Sequence, residues 1–182
     1  MNPAGNDLLL LAGKIITVFK QIAMAIGATA LIIGAGALLF YQDTISAEFI
    51  AESGNPDAVF PIFALFGVMF IGLAIVAALF VFFRKLREII NTVSDGDPFA
   101  PANSGRLHQM AWLMLAVQLL VLPAIPFALQ LAKVGEEVGE DLGVNVDGGL
   151  DLSGILLVII LFILARVFRH GAAMRADLEG TV

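Results

Sequence analysis

Side chains able to do chemistry are sparse in this chain, and they lie at the ends of its apolar stretches rather than inside them. His108 and His170 are its two histidines, and Asp95 and Asp97 are carboxylates that fall in the same region of the pattern. Imidazole can bind a transition metal or change charge near neutral pH. A structural metal site, however, asks for about four His or Cys ligands at set spacings. Two unspaced histidines in a chain without cysteine do not supply that set, so no metal is expected. The absence of cysteine also excludes disulfides and thiol chemistry. Acidic residues gathered between 136 and 151 lack EF-hand spacing, and a solvated acidic rim accounts for them better than Ca²⁺. SDGDPF, at 94–99, fits neither a Walker nor a Rossmann phosphate cradle.

Within the apolar stretches the deepest polar side chains are Thr29 and Gln118. No Asp, Glu, Lys or His is found there. Ion-coupled carriers rely on intramembrane charge, and intramembrane hydrolysis needs paired acids, an activated serine or metal ligands. None of these can be assembled, so no catalytic residue and no cofactor is expected. Gln118 reads as a hydrogen-bond partner between helices.

The elements that must carry these residues follow from composition. Of the 182 residues, 59% are hydrophobic and 14% charged, with a mean hydropathy of +0.95. A soluble domain of this size has too little interior to bury that much apolar surface, so lipid must be part of its solvent. Residues 21–42, 58–83 and 109–132 carry no charge, and each exceeds the roughly 20 residues that cross a hydrocarbon core. A fourth stretch, 152–165, is shorter. Extending it past Arg166 to about 168 completes a span, because a terminal arginine can lay its stem along the helix and place its head among lipid headgroups. The first span is too long for a signal-peptide core and reads as an anchor. Tyr41 and Trp112 fit interfacial belts at opposite faces. The chain is therefore expected to be a single all-α polytopic domain of four spans.

Lys and Arg set the orientation. Nine of the ten fall in the N-terminal arm, the second connection and the tail, against six acidic residues there. The first and third connections hold Lys133 and the other ten acids. The positive-inside rule then puts both termini in the cytoplasm.

The connections have their own signatures. Leu8, Leu11, Ile15 and Phe19 recur at helical spacing before the first span, with Asn6 or Asp7 able to cap the turn. This predicts a helix that starts near Asp7, lies partly in the interface and runs on into the bilayer. Gly54-Asn55-Pro56 marks the first outer turn. Residues 144–152, VNVDGGLDL, alternate about a three-residue loop that pairs Val146 with Leu150, Asn145 with Asp151 and Val144 with Leu152, which predicts a small outer β-hairpin before span four. Ala23 with Gly27, Ala30 with Gly34 and Ala74 with Ala78 permit close helix approach. Pro123 and Pro126 each remove an amide donor from span three, where a kink is expected.

The stretch TVSDGDPFAPANSGRL, 92–107, separates spans two and three. Leu86, Ile89, Ile90 and Val93 continue the second span as an amphipathic helix. Gly96 is placed to end it in a left-handed conformation, and Pro98 forbids its resumption. Phe99 then stands on a non-helical turn, and Asn103 is placed to cap the helix that leads into span three. A cytoplasmic helical hairpin with a rigid tip is expected.

The succession of an amphipathic helix, Gly96, Pro98, Phe99, Asn103, Arg106 and Leu107 resembles a widespread, uncharacterised bacterial family of four-span membrane proteins. The segment from DGGLDLSG through ARVFRHG to the closing Thr-Val resembles the same family, and the likeness is strongest from Arg84 onward. Members are often encoded beside a small helix-turn-helix regulator of the phage-repressor type. The resemblance implies a non-enzymatic membrane regulator that docks or tethers such a cytoplasmic DNA-binding protein, with Gly96, Pro98, Phe99, Asn103 and Arg106 as the docking residues. The chain itself has nothing that reads nucleic acid, since orientation accounts for its basic residues. A small transporter, or an accessory subunit of one, is the alternative. Composition leaves the oligomeric state open.

Overall fold

The computed structural model of the chain describes residues 3–139 and 151–179, and for residues 3–7, 9 and 179 the backbone alone. Among them are four helices: α1 (Pro3–Ser53), α2 (Ile62–Ser94), α3 (Pro101–Val138) and α4 (Leu152–Glu179). Each contains a stretch long and apolar enough to cross a membrane, so the chain is a multi-pass membrane protein. In hydrocarbon no water can satisfy the backbone, so long apolar runs fold as helices whose amides pair internally.

The helices overrun the expected spans. α1 has 51 residues, a length of about 77 Å, so the arm, the first span and the acidic residues up to Ser53 form one helix. It is already helical at Pro3, ahead of the expected start near Asp7. α3 continues through both Pro123 and Pro126.

No strand occurs among the described residues. Most of the expected outer β-hairpin lies outside them. Neither of the two described positions of its register lies in a strand: Asp151 precedes α4 and Leu152 is its first residue. Asp151 is the N-cap instead. Its carboxylate accepts from the Ser153 and Gly154 amides, both at 3.0 Å, which satisfies two of the helix's orphan donors.

Two compact units can be told apart. The first comprises Met1–Ile26, Ala77–Gln118 and Asp151–Val182. Its core is built from Ile89 of α2, Leu107, Met110 and Ala111 of α3, and Leu161 and Ala165 of α4. Gln118 is buried in this unit and donates to the Asp151 carbonyl at 2.8 Å, so it does link two helices. α4 has room for that amide because residue 154 is glycine, where a Cβ would stand 1.9 Å from Gln118 Nε2.

The second unit comprises Gly27–Val76 and Leu119–Leu150. Phe49, Ala58 and Val134 are its buried cluster, and the Phe49 and Phe60 rings meet edge to face at 5.6 Å. Gly67 gives the closest approach, since a Cβ there would meet the Phe127 ring at 2.8 Å. Of the expected small-residue pairs, Gly34 lies against Met69, whereas Gly27 faces open space.

Gly154→Ala is expected to push the Gln118 amide off Asp151 and lower stability by about 1–3 kcal/mol, the range for overpacking and for a lost buried hydrogen bond. Thermal unfolding in detergent measures it. Gln118→Ala makes the necessary space, so the double variant should melt above the sum of the two single effects.

Candidate functional site

The connection between α2 and α3 gathers more side-chain hydrogen bonds than any other described turn, and local rules explain its path. Asp97 N–H donates to the Thr92 carbonyl at 2.9 Å and Gly96 N–H to that of Val93 at 3.1 Å. This pair of bonds is a Schellman ending, which requires a left-handed residue at its corner. Gly96 supplies it with φ +82°, as its position in the sequence predicts. Pro98 then opens a turn closed by Ala100 N–H donating to the Asp97 carbonyl at 3.3 Å. Pro101 starts α3, where a missing amide hydrogen is harmless.

Asn103 corrects its expected role. It is not the N-cap, because it already lies in the first turn, its amide donating to the Ala100 carbonyl at 2.9 Å. Its side chain is fully buried and ties the tip together. The amide group donates to Thr92 Oγ1 at 2.8 Å and to the Pro98 carbonyl at 3.0 Å, while Oδ1 accepts from Arg106 Nη1 at 2.7 Å. Thr92 in turn donates to the Ile89 carbonyl at 2.8 Å. Arg106 Nε donates to Glu88 Oε2 at 3.1 Å, and Lys85 and Arg84 approach the same carboxylate at 3.6 and 3.8 Å. One amide thus joins the end of α2, the turn and the start of α3.

The tail closes on the same tip. Asp97 pairs with Arg175 of α4. Phe99 packs against the Phe168 ring with centroids 5.5 Å apart. It fits because residue 171 is glycine, where a Cβ would meet Phe99 Cδ1 at 2.6 Å. Even so, Phe99 remains 41% exposed.

The five singled-out residues are therefore brought together, with unequal parts. Gly96 and Pro98 shape the turn, Asn103 and Arg106 clamp it, and Phe99 is displayed. Sequence reasoning missed Thr92, Glu88, Gly171 and Arg175. An acid in an otherwise basic stretch and a glycine inside α4 were the available signals for two of them.

His108 lies elsewhere, on the flank of α3. Its Nε2 accepts from Trp112 Nε1 at 3.1 Å, and both rings pack edge-on against Phe162. Among the described residues no three His, Cys, Asp or Glu come together to hold a metal.

A family described as "Protein of unknown function (DUF2975)" matches residues 45–182. The chain belongs to that family. The match takes in the whole tip and its partners in α4. No curated protein and no solved structure matches the chain.

Gly96→Ala should lower stability by about 1–2 kcal/mol through the left-handed strain alone. Asn103→Leu should cost more, about 2–4 kcal/mol, because it takes the amide donor from the Pro98 carbonyl and the Oδ1 acceptor from Arg106 Nη1 together. Trypsin cleavage at Arg106 in the native protein should rise in the same order.

Proposed function

We propose that the chain is a non-enzymatic regulator of the bacterial inner membrane, in which the α2–α3 tip docks a cytoplasmic protein, with a small helix-turn-helix transcription regulator as the favoured partner. The observation that supports it is Phe99: a large ring 41% exposed on a tip whose buried polar side chains are satisfied internally. Rigid, part-exposed aromatics anchor protein interfaces because binding them costs little conformational entropy. The resemblance to a family encoded beside such regulators supplies the partner class. Both termini and the tip are cytoplasmic in this reading, on the strength of the Lys and Arg distribution.

Because the chain lacks cysteine, orientation can be tested on single cysteines. An impermeant maleimide applied to intact cells should label Glu52→Cys and leave Ala102→Cys unlabelled until the membrane is opened. Docking is tested by mild crosslinking in native cells, purification of the tagged protein and mass spectrometry. Wild type should yield a small DNA-binding protein that rebinds when purified, and Phe99→Ala should lose it. Gly171→Ala displaces the ring without altering it, and should weaken recovery as well. Recovery of membrane subunits alone would instead favour an accessory part of a transport complex.

A further inference from the structure

We propose that Arg84 and Lys85 bind the phosphate group of an anionic phospholipid in the headgroup layer, where α2 leaves its charge-free stretch. The site is separate from the ring that Phe99 displays, and it stands whichever partner the tip docks.

Charge does not balance where these two side chains lie. Arg106 Nε stands 3.1 Å from the Glu88 carboxylate, Lys85 Nζ 3.6 Å and Arg84 Nε 3.8 Å, so three cations from two helices gather on one acid. Among the described residues no second carboxylate lies within 4.0 Å of any of the three. Two positive charges are therefore left without a counter-ion. Orientation in a membrane needs cations on one side of it, but it does not need them to converge. Like charges brought this close repel one another unless a further anion joins them.

Hydrogen bonding shows which two cations are left over. Arg106 is committed, with Nε donating to Glu88 Oε2 and Nη1 to Asn103 Oδ1 at 2.7 Å. The Arg84 and Lys85 contacts are longer than the about 2.7–3.2 Å of an N–H···O bond, and neither side chain donates a hydrogen bond among the described residues. The Lys85 side chain is only 19% exposed, so water does little to satisfy its ammonium group. That of Arg84 is 52% exposed and leaves the pair an open side. On α2, residues 84, 85 and 88 fall within about 100° of one another, so the two cations flank the carboxylate on one face.

Depth selects the ligand. The charge-free stretch of α2 ends at Phe83 and that of α3 begins at Gln109. At 1.5 Å per residue, Arg84 and Lys85 lie within about 3 Å of the end of one stretch, and Arg106 about 4.5 Å from the end of the other. The headgroup layer is about 5–7 Å thick on each side of the hydrocarbon, so all three cations lie within it. Arginine offers a phosphate two parallel N–H donors and lysine a compact charge, and basic positions between helices at this depth suit anionic headgroups. Phosphatidylcholine also brings a phosphate, but its own ammonium cancels the charge. A lipid of net negative charge, such as phosphatidylglycerol, supplies the missing counter-ion. Inorganic phosphate shares the chemistry but has no acyl chains to hold it at this height.

Native mass spectrometry of the purified full chain, released from micelles with equal amounts of phosphatidylglycerol and phosphatidylcholine, tests it. Wild type should retain phosphatidylglycerol in preference. Arg84→Gln with Lys85→Gln should retain at least about tenfold less, the loss that one charge-assisted hydrogen bond predicts. Arg166→Gln with Arg169→Gln removes as many charges from exposed positions of α4 and should keep the preference. Glu88→Gln removes the competing carboxylate and should raise retention. Equal retention by wild type and the α2 double variant, an equal loss from the α4 variant, or a fall with Glu88→Gln would overturn the proposal. Thermal unfolding in phosphatidylcholine nanodiscs separates the two sources of phosphate. Added phosphatidylglycerol should raise the melting temperature of wild type by several degrees and leave that of the α2 double variant unchanged, whereas millimolar inorganic phosphate should shift neither. A shift of wild type by inorganic phosphate, lost in the double variant, would assign the site to a free anion and overturn the lipid.

Discussion

Every backbone amide that enters hydrocarbon must find its partner within the chain, since each unmet one costs several kcal/mol there. That constraint turns the four apolar stretches into helices and leaves their side chains little polar work. It also moves the specificity of the structure to the helix ends, where backbone groups outside the ladder need other partners. The described ends meet that need by different means. Gly54, Gly96 and Gly139 close α1, α2 and α3 with positive φ, and Asp151 caps α4 with both carboxylate oxygens. Two of the buried polar side chains serve such ends too: Gln118 bonds the carbonyl of the cap residue and Asn103 a carbonyl of the tip.

The same need ties the tip together although it is short and polar. A loop of this kind would ordinarily exchange among conformers with water as its partner. Here the Asn103 amide removes that freedom by holding Thr92, Pro98 and Arg106 at once. Thr92 and Arg106 are each held a second time, by the Ile89 carbonyl and by Glu88, so the bonds to Asn103 support one another. Arg106, whose charge alone suggests a contact for a partner, is instead committed to Glu88. The ring of Phe99 is left as the apolar feature that the clamp presents.

The sequence made the helices and one turn legible because these depend on local rules. Charge-free length predicts a span, and Gly-x-Pro after an amphipathic run predicts the left-handed ending at Gly96. Gln118 was legible for a similar reason, as a lone amide in an apolar stretch needs a partner nearby. Asn103 was not, because capping and burial use the same side chain and only its distance from Pro98 decides between them. The closeness of Gly171 to Phe99, of Gly67 to Phe127 and of Gly154 to Gln118 depends on which helices meet. Spacing within one helix carries no record of that. The outer hairpin register looked self-consistent, yet Asp151 also fits a helix N-cap. Two orphan amides gain partners there, whereas an isolated hairpin is marginal in water.

Exposure means different things at different places on this chain, because the solvent changes along it. Phe40 and Phe63 are 86% and 84% exposed within charge-free stretches, where lipid is the natural neighbour and no further partner is implied. Leu8, Ile15 and Phe19 are 67–69% exposed too, but they precede the charge-free stretch, on a segment whose Gln21 meets Arg87 and whose Lys14 shares a groove with Ser94, so water and headgroups come within reach. Between helices in hydrocarbon, apolar burial contributes no driving force, since lipid tails are as apolar as leucine. At the surface the same side chains gain about 25 cal/mol for each Å² removed from water. An apolar row that outruns its own span is therefore under stronger pressure to find a partner than a longer one inside the membrane.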